Sequence, residues 1–231
     1  MHVLNLVVKG KGGTRELAFP VKRMVNAGYV GRDQEAVKRH IEELKVNGIL
    51  APEEVPTLYP VASYLVKTGG VLEVVEEETS GEAEFVVLLQ EGQKYIGVGS
   101  DHTDRKLEAD SIIKAKQMCP NVMSTTVWPY EEVKSVWDNL EMRSWVVKGR
   151  NRILYQETRL EAILTVEDLV SFVKQKVTDG DLESMVIFSG TVAAIGGEMI
   201  AGEGFEVELR NPETGESLGC DYQVKIVDYV K

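Results

Sequence analysis

Apolar and polar residues alternate most clearly towards the C-terminal end of the chain. There Phe205, Val207 and Leu209 are interleaved with Glu206, Glu208 and Arg210, and Tyr222, Val224 and Ile226 repeat the pattern after Asn211-Pro212-Glu213-Thr214-Gly215. A period of two puts every second side chain on one face, so the spacing predicts two strands joined by a turn. Val3 to Val8 and Thr14 to Phe19 read as a second hairpin, turned by Lys9-Gly10-Lys11-Gly12-Gly13. Arg143 to Val147 and Ile153 to Glu157 pair as a third, through Gly149, and Val71 to Val75 is a further strand. Val86 to Leu89 and Met185 to Phe188 are short unbroken apolar runs, which suits strands buried on both faces.

Helical spacing is rarer. Gln34 to Asn47 carries an apolar stripe of Val37, Ile41 and Leu44, with Asp33 placed to cap its start and Gly48 to stop it. Arg105 to Lys116 reads as one helix. Pro129 opens another, with Val133, Val136, Trp137 and Leu140 on one face. Thr165-Val166-Glu167-Asp168 resembles a capping box, opening a helix to about Lys176. Ala51 to Tyr64 holds three prolines and reads as irregular chain. Strands outweigh helices and no repeat or linker interrupts them, so a single β-rich domain is expected.

Composition narrows the function classes. The 231 residues are 43% hydrophobic and 27% charged, as in soluble globular proteins, and suffice for a full core. A net charge of −11 argues against nucleic acid or an anionic membrane as partner. Two cysteines, Cys119 and Cys220, are too few for a disulfide framework. Without a signal-peptide pattern or an apolar run near the ~20 residues that span a bilayer, a cytoplasmic location is expected.

The candidate chemistry lies around the buried run. Glu82 and Glu84 precede Val86, two residues apart, so an extended chain points both to one side. Gly97-Val98-Gly99-Ser100-Asp101 follows, with Ile96 to Val98 as the neighbouring strand and Asp101 at its end. Three hard oxygen donors from adjacent strands suit Mg²⁺ or Mn²⁺. A solvated strand entrance would show the same Glu-x-Glu spacing. On the 34–47 helix, His40 and Glu43 are three apart and can face each other, either as an oriented base or as a surface pair.

Taken in order, several motifs resemble the fumarylacetoacetate hydrolase superfamily. They are Gly31-Arg32-Asp33, His40-Ile41-Glu42-Glu43, Glu82-Ala83-Glu84, Ser100-Asp101, the lysines before Cys119-Pro120, and Phe188-Ser189-Gly190-Thr191 with Gly196-Gly197. The strand Gly202-Glu203-Gly204-Phe205-Glu206-Val207-Glu208-Leu209 adds to them, and the resemblance runs from about Gly31 to the C-terminus. It implies a mainly β (α+β) fold, a mixed β-roll or barrel with peripheral helices. One domain over 1–231 is expected, with 1–70 as an N-terminal hairpin and lid-helix region and 71–231 as the metal-binding β core. It further implies Mg²⁺ or Mn²⁺ on Glu82, Glu84 and Asp101, and a catalytic group of His40, Glu43 and Lys116, or Lys114 in its place. Arg32, Tyr59, Gly190 and Thr191 are expected to contact substrate, the last two through a backbone and a hydroxyl donor. His102 stands either near the metal or in a structural role. The implied activity is metal-dependent hydrolysis of a carbon–carbon bond in an acylpyruvate-like 2-oxo acid. A lyase at the same site, or a binding protein without turnover, is the alternative. A homodimer is also implied.

Overall fold

The computed structural model describes residues 2–46, 52 and 54–229, the side chains of residues 40 and 43–46 excepted. The chain opens with strands β1 (His2–Gly10), β2 (Gly13–Val21) and β3 (Arg23–Gly28), then helix α1 (Gln34–Val46). Strands β4 (Thr57–Val61), β5 (Val66–Thr68), β6 (Val71–Val74), β7 (Thr79–Ser80), β8 (Ala83–Gln90), β9 (Gln93–Ser100) and β10 (Thr103–Asp104) follow. Helices α2 (Arg105–Asp110) and α3 (Ile112–Met118) lead to β11 (Asn121–Met123) and β12 (Thr126–Pro129), then the single turn α4 (Tyr130–Val133). The hairpin β13 (Glu141–Lys148) and β14 (Asn151–Arg159), helix α5 (Val166–Lys176), β15 (Met185–Phe188), β16 (Gly204–Arg210) and β17 (Ser217–Ile226) complete the chain.

A ten-stranded mixed sheet runs β2-β1-β12-β9-β8-β15-β3-β4, with β11 and β5 attached beside β9. A five-stranded sheet runs β14-β13-β16-β17-β6. The unbroken apolar run of β8 has its reason here, because its two faces serve two cores. Val86 and Leu88 join Leu4, Leu6, Phe19 and Val186 within the curl of the large sheet. Phe85, Val87 and Leu89 join Trp137, Met142, Phe205 and Tyr222 between the two sheets. Each such side chain contributes roughly 1.5–3 kcal/mol through burial. The fold is therefore mainly β and fumarylacetoacetate hydrolase-like, as the motif order implies.

Local signals hold where they rest on side-chain chemistry. Asp33 Oδ1 accepts from the amides of Glu35 and Ala36, both at 3.0 Å, and so caps α1. Val37 and Ile41 of its stripe are buried, whereas the Leu44 side chain and Gly48 lie outside the described residues. Thr165 Oγ1 accepts from the Asp168 amide at 3.1 Å and starts α5.

Three expectations change. The 105–116 stretch is two helices, because Ser111 is extended (φ −163°) and ends α2 through its N–H to the Leu107 carbonyl. The segment after Pro129 is one α-turn followed by a 3-10 stretch, Lys134–Asn139, which still buries Val133, Trp137 and Leu140. The proline-bearing chain before Tyr64 contains β4, which lies on the edge of the large sheet beside β3, where a strand tolerates Pro60. Strands β1 to β5, all from the first seventy residues, are thus built into the same sheet as β8 and β9.

Cys119 and Cys220 are buried, and burial pushes the Cys119 thiol up to about 12 and the Cys220 thiol upward as well. Neither should react with an aromatic disulfide reagent in the native protein, and both should react once guanidinium unfolds it. Rapid labelling of native protein would contradict this packing.

Candidate metal centre

The site forms where β8 begins and β9 ends. Gly81 allows the start, since a Cβ there would lie 2.6 Å from the Phe205 ring. In β8 the even positions face the inner curl, so Glu84 follows Val86 and Leu88 onto that face. The Asp101 amide donates to the Glu82 carbonyl at 3.1 Å and closes the two strand ends together. One oxygen from each of Glu82, Glu84 and Asp101 then lies within 4.8 Å of the others. Glu84 and Asp101 are 1% and 0% exposed, which excludes a solvated strand entrance.

Two cations answer them. Lys116, on α3, hydrogen-bonds Asp101 Oδ2 and approaches Glu82 Oε2 at 3.6 Å. Arg105, at the start of α2, donates from Nη1 to Glu82 Oε1 at 2.9 Å and Glu108 Oε2 at 2.8 Å, and from Nε to Ser80 Oγ at 2.8 Å. Burial raises the Glu84 pKa and the Asp101 charge adds to it, leaving that carboxyl well above its ordinary range. Burial also raises Asp101, with Lys116 opposing and Glu82 reinforcing. Glu82 ends below its ordinary value, because Arg105 and Lys116 outweigh its burial. For Lys116, burial works against the ammonium, yet Asp101, Glu82 and Glu84 outweigh it and the pKa rises.

Four carboxyls, with Glu108 included, therefore face two cations, and full ionisation would leave two negative charges uncompensated, which is why burial holds Glu84, Asp101 and Glu108 above their ordinary values. Asp101 Oδ1 is buried and makes no hydrogen bond. The Asn26 amide is near enough to steady the Asp101 charge but falls short of a hydrogen bond, being held through Oδ1 by Asn121 at 3.0 Å. An all-oxygen donor set with this charge deficit fits a hard divalent cation.

A second set of contacts ties the C-terminal sheet to the site. The Tyr222 hydroxyl, from β17, is 2.8 Å from Ser100 Oγ and 2.9 Å from His102 Nδ1. Ser100 Oγ in turn accepts from the Glu82 amide at 3.1 Å. His102, with its pKa pushed down to about 3 by burial and by Arg105, is a neutral ring in this network.

The remaining sequence candidates divide. Lys116 is buried at the site and Lys114 is exposed. Tyr59 lies beside Lys116, whose Nζ is 5.7 Å from the ring centre. The Gly190 amide donates to Glu84 Oε2 at 2.9 Å, and the Thr191 hydroxyl to the Ala83 carbonyl at 2.8 Å, so both donors are turned onto the protein. Gly190 has φ +82°, and a Cβ there would lie 2.9 Å from the Ala27 carbonyl oxygen. Arg32 is engaged by Asp138, at 2.5 and 3.0 Å, and by the Ile163 carbonyl at 2.6 Å. The side chains of His40 and Glu43 lie outside the described residues. Arg105, Glu108, Tyr222 and Asn26 escaped sequence reasoning. The one local signal among them was Arg105 and Glu108 three apart at a helix start just past Asp101.

The strained carboxyl has a pH signature in metal-free protein. Glu84 is raised on folding, so its contribution to stability is full below its ordinary value of 4.5 and is lost as pH rises through the folded value. Urea unfolding with chelator present should show wild type losing more stability than Glu84→Gln as pH rises above the ordinary carboxyl value of 4.5. Equal losses would contradict the charge deficit assigned to Glu84.

Three solved structures share the fold at low identity. Cg1458 is 14% identical over 98% of this chain and 100% of its own, with a TM-score of 0.60. 2-Keto-3-deoxy-D-arabinonate dehydratase, complexed with magnesium and 2,5-dioxopentanoate, is 13% identical over 91% of this chain and 76% of its own, with a TM-score of 0.61. 4-Oxalocrotonate decarboxylase from Pseudomonas putida G7, complexed with calcium and acetate, is 12% identical over 88% and 76%, with a TM-score of 0.56. No curated protein matches the chain at a significant level. Residues 27–222, which span every described element from the end of β3 to Tyr222, match the model of the family described as "Protein of unknown function (DUF2848)", and the chain belongs to that family.

Proposed function

We propose that the protein is a divalent-metal-dependent enzyme acting on 2-oxo acids, and that it hydrolyses a carbon–carbon bond in an acylpyruvate-like substrate. The observation that carries this reading is the convergence of Glu82, Glu84 and Asp101 beside Lys116, with more carboxyls than cations. The magnesium and 2,5-dioxopentanoate of the dehydratase, and the calcium of the decarboxylase, support the same class of chemistry on this fold. Those two names are lyase activities, and they favour decarboxylation or dehydration as the second reading.

Glu82, Glu84 and Asp101 would hold Mg²⁺ or Mn²⁺, which supplies polarisation of the 2-oxo carbonyl and stabilisation of negative charge on its oxygen. The chain's own residues do the rest. The Gly190 amide fixes the direction of Glu84, and Ser100 with Tyr222 fixes the strand that carries Glu82. Lys116 places a second positive charge beside the carboxylates, where it would meet the carboxylate or enolate oxygen of a substrate. His40, oriented by Glu43 one turn along α1, would take a proton from water. The water oxygen bonds to the distal carbonyl carbon, the carbon–carbon electron pair leaves as the enolate of the 2-oxo acid fragment, and that fragment regains a proton at carbon. A lyase would use the same enolate with a different leaving group.

The test begins with calorimetry of Mn²⁺ into metal-free protein. Glu82→Gln with Glu84→Gln should abolish binding while the fold survives, and unchanged affinity would place the metal elsewhere. Acylpyruvates and other 2-oxo acids are then screened for turnover. With a substrate in hand, His40→Ala should lower kcat by roughly two to four orders of magnitude and Glu43→Gln by less. The double variant should be barely worse than His40→Ala, since residues that act as a unit are not additive. Metal and ligand binding without turnover across the screen would instead identify a binding protein.

A further inference from the structure

Ala83 lies between the two glutamates and is fully buried, so its amide and carbonyl need partners inside the protein. Backbone groups along β8 serve the strands on either side in alternation. The Glu82 carbonyl accepts from Asp101 on the β9 side, and the Phe85 carbonyl accepts from the Ser189 amide at 3.0 Å on the β15 side. Ala83 shares the side of Phe85, but β15 ends at Phe188, opposite Val86, and stops short of it.

Side chains stand where that strand would have continued. Gln156 Oε1 accepts from the Ala83 amide at 2.9 Å, and the Thr191 hydroxyl donates to the Ala83 carbonyl at 2.8 Å. Gln156 Nε2 donates to Thr191 Oγ1 at 2.8 Å and to the Val192 carbonyl at 2.6 Å, while the Ser144 hydroxyl donates to Gln156 Oε1 at 2.9 Å. The amide thus accepts twice and donates twice, its full capacity. Its orientation is set by an N–H at one end and a carbonyl at the other, so neither Glu nor an apolar residue can replace it. A β-bulge delivers it there. Ser144 pairs with Gln156 and Trp145 with Leu154, which leaves Tyr155 as the extra residue. The bulge breaks the alternation of β14, and Tyr155 and Gln156 are consecutive yet both buried.

Resting on the reading of Glu82 and Glu84 as metal ligands, we propose that Gln156 is a positioning residue of the metal centre, acting through Ala83 and Thr191. Rotation of either peptide group beside Ala83 would turn one glutamate away from Asp101. Gln156 holds the first peptide directly and the second through Thr191. The same amide fastens Val192, two residues beyond the Gly190 amide that holds Glu84.

Mn²⁺ calorimetry on metal-free protein, at a temperature where each variant is folded by circular dichroism, tests this. Gln156→Met keeps the length of the side chain without its hydrogen bonds, and should weaken Mn²⁺ binding about tenfold or more. Thr191→Val, which keeps the shape but not the hydroxyl, should weaken it as well, and Thr191→Ser should restore it. The double variant Gln156→Met with Thr191→Val should bind little worse than Gln156→Met alone, since the two act as a unit. Leu169→Ala, which opens the core without touching this network, should lower stability to urea and leave Mn²⁺ affinity unchanged. If Gln156→Met does not fold, the Thr191 variants decide. Wild-type affinity in folded Gln156→Met or in Thr191→Val overturns the proposal and leaves the metal reading standing. So does an equal weakening in Leu169→Ala, because affinity would then follow stability alone. Wild-type protein that takes up no Mn²⁺ overturns the metal reading, and this inference with it.

Discussion

Burying carboxylates without enough positive charge is the constraint on which the rest of this structure turns. An isolated ion in a protein interior costs several kcal/mol, and removing one partner of a buried pair costs about 3–5 kcal/mol. Here Glu84 and Asp101 sit at the junction of two apolar cores, and Lys116 and Arg105 only partly offset them. The surrounding architecture counters the remaining repulsion with rigid geometry. The Gly190 amide holds the Glu84 carboxyl itself, the Ser100 hydroxyl holds the backbone of Glu82, and Asn121 holds the Asn26 side chain, each from a different strand or strand end. A site so held is organised before any cation arrives, and binding energy is not diverted into ordering it.

Much of this was legible in the sequence because it depended on periodicity alone. A period of two determines that Glu82 and Glu84 share a side, and an unbroken apolar run after them determines that the strand is covered on both faces. The Asp33 and Thr165 caps were equally local, each a side-chain oxygen two or three residues from the amides it serves. What could not be read was anything set by contacts between distant segments. The choice between Lys114 and Lys116 depended on Ser111 breaking one helix into two, a conformation that neighbours rather than propensity decide. Arg32 was expected at substrate, yet Asp138, 106 residues further on, engages it. Gly190 and Thr191 were expected to turn their donors to substrate, whereas the fold directs those donors onto Glu84 and Ala83.

The same distinction explains which functional neighbours escaped notice. Tyr222 belongs to a strand whose alternation marks it as ordinary core, and nothing nearby indicates that its hydroxyl meets Ser100 across 122 positions. Arg105 and Glu108 form an i,i+3 pair of the kind that decorates exposed helices, and only the proximity of Glu82 changes its meaning. Local patterns report which face a side chain occupies. Its partner is a property of the whole sheet.

Strand order also carries a consequence for how the protein comes into being. In the large sheet β15 is inserted between β8 and β3, so the strand bearing Glu84 meets the strand bearing Asn26 only through residues made about a hundred positions later. Likewise β6 joins its sheet only alongside β17. Such non-local pairings delay folding, because the chain must close long loops before any contact rewards it. During synthesis the first half of the chain therefore leaves the ribosome with its central strand edges open and its carboxylates in water. Until β15 is made, the facing edges of β8 and β3 lack their sheet partner, and open edges of this kind are where chains associate wrongly.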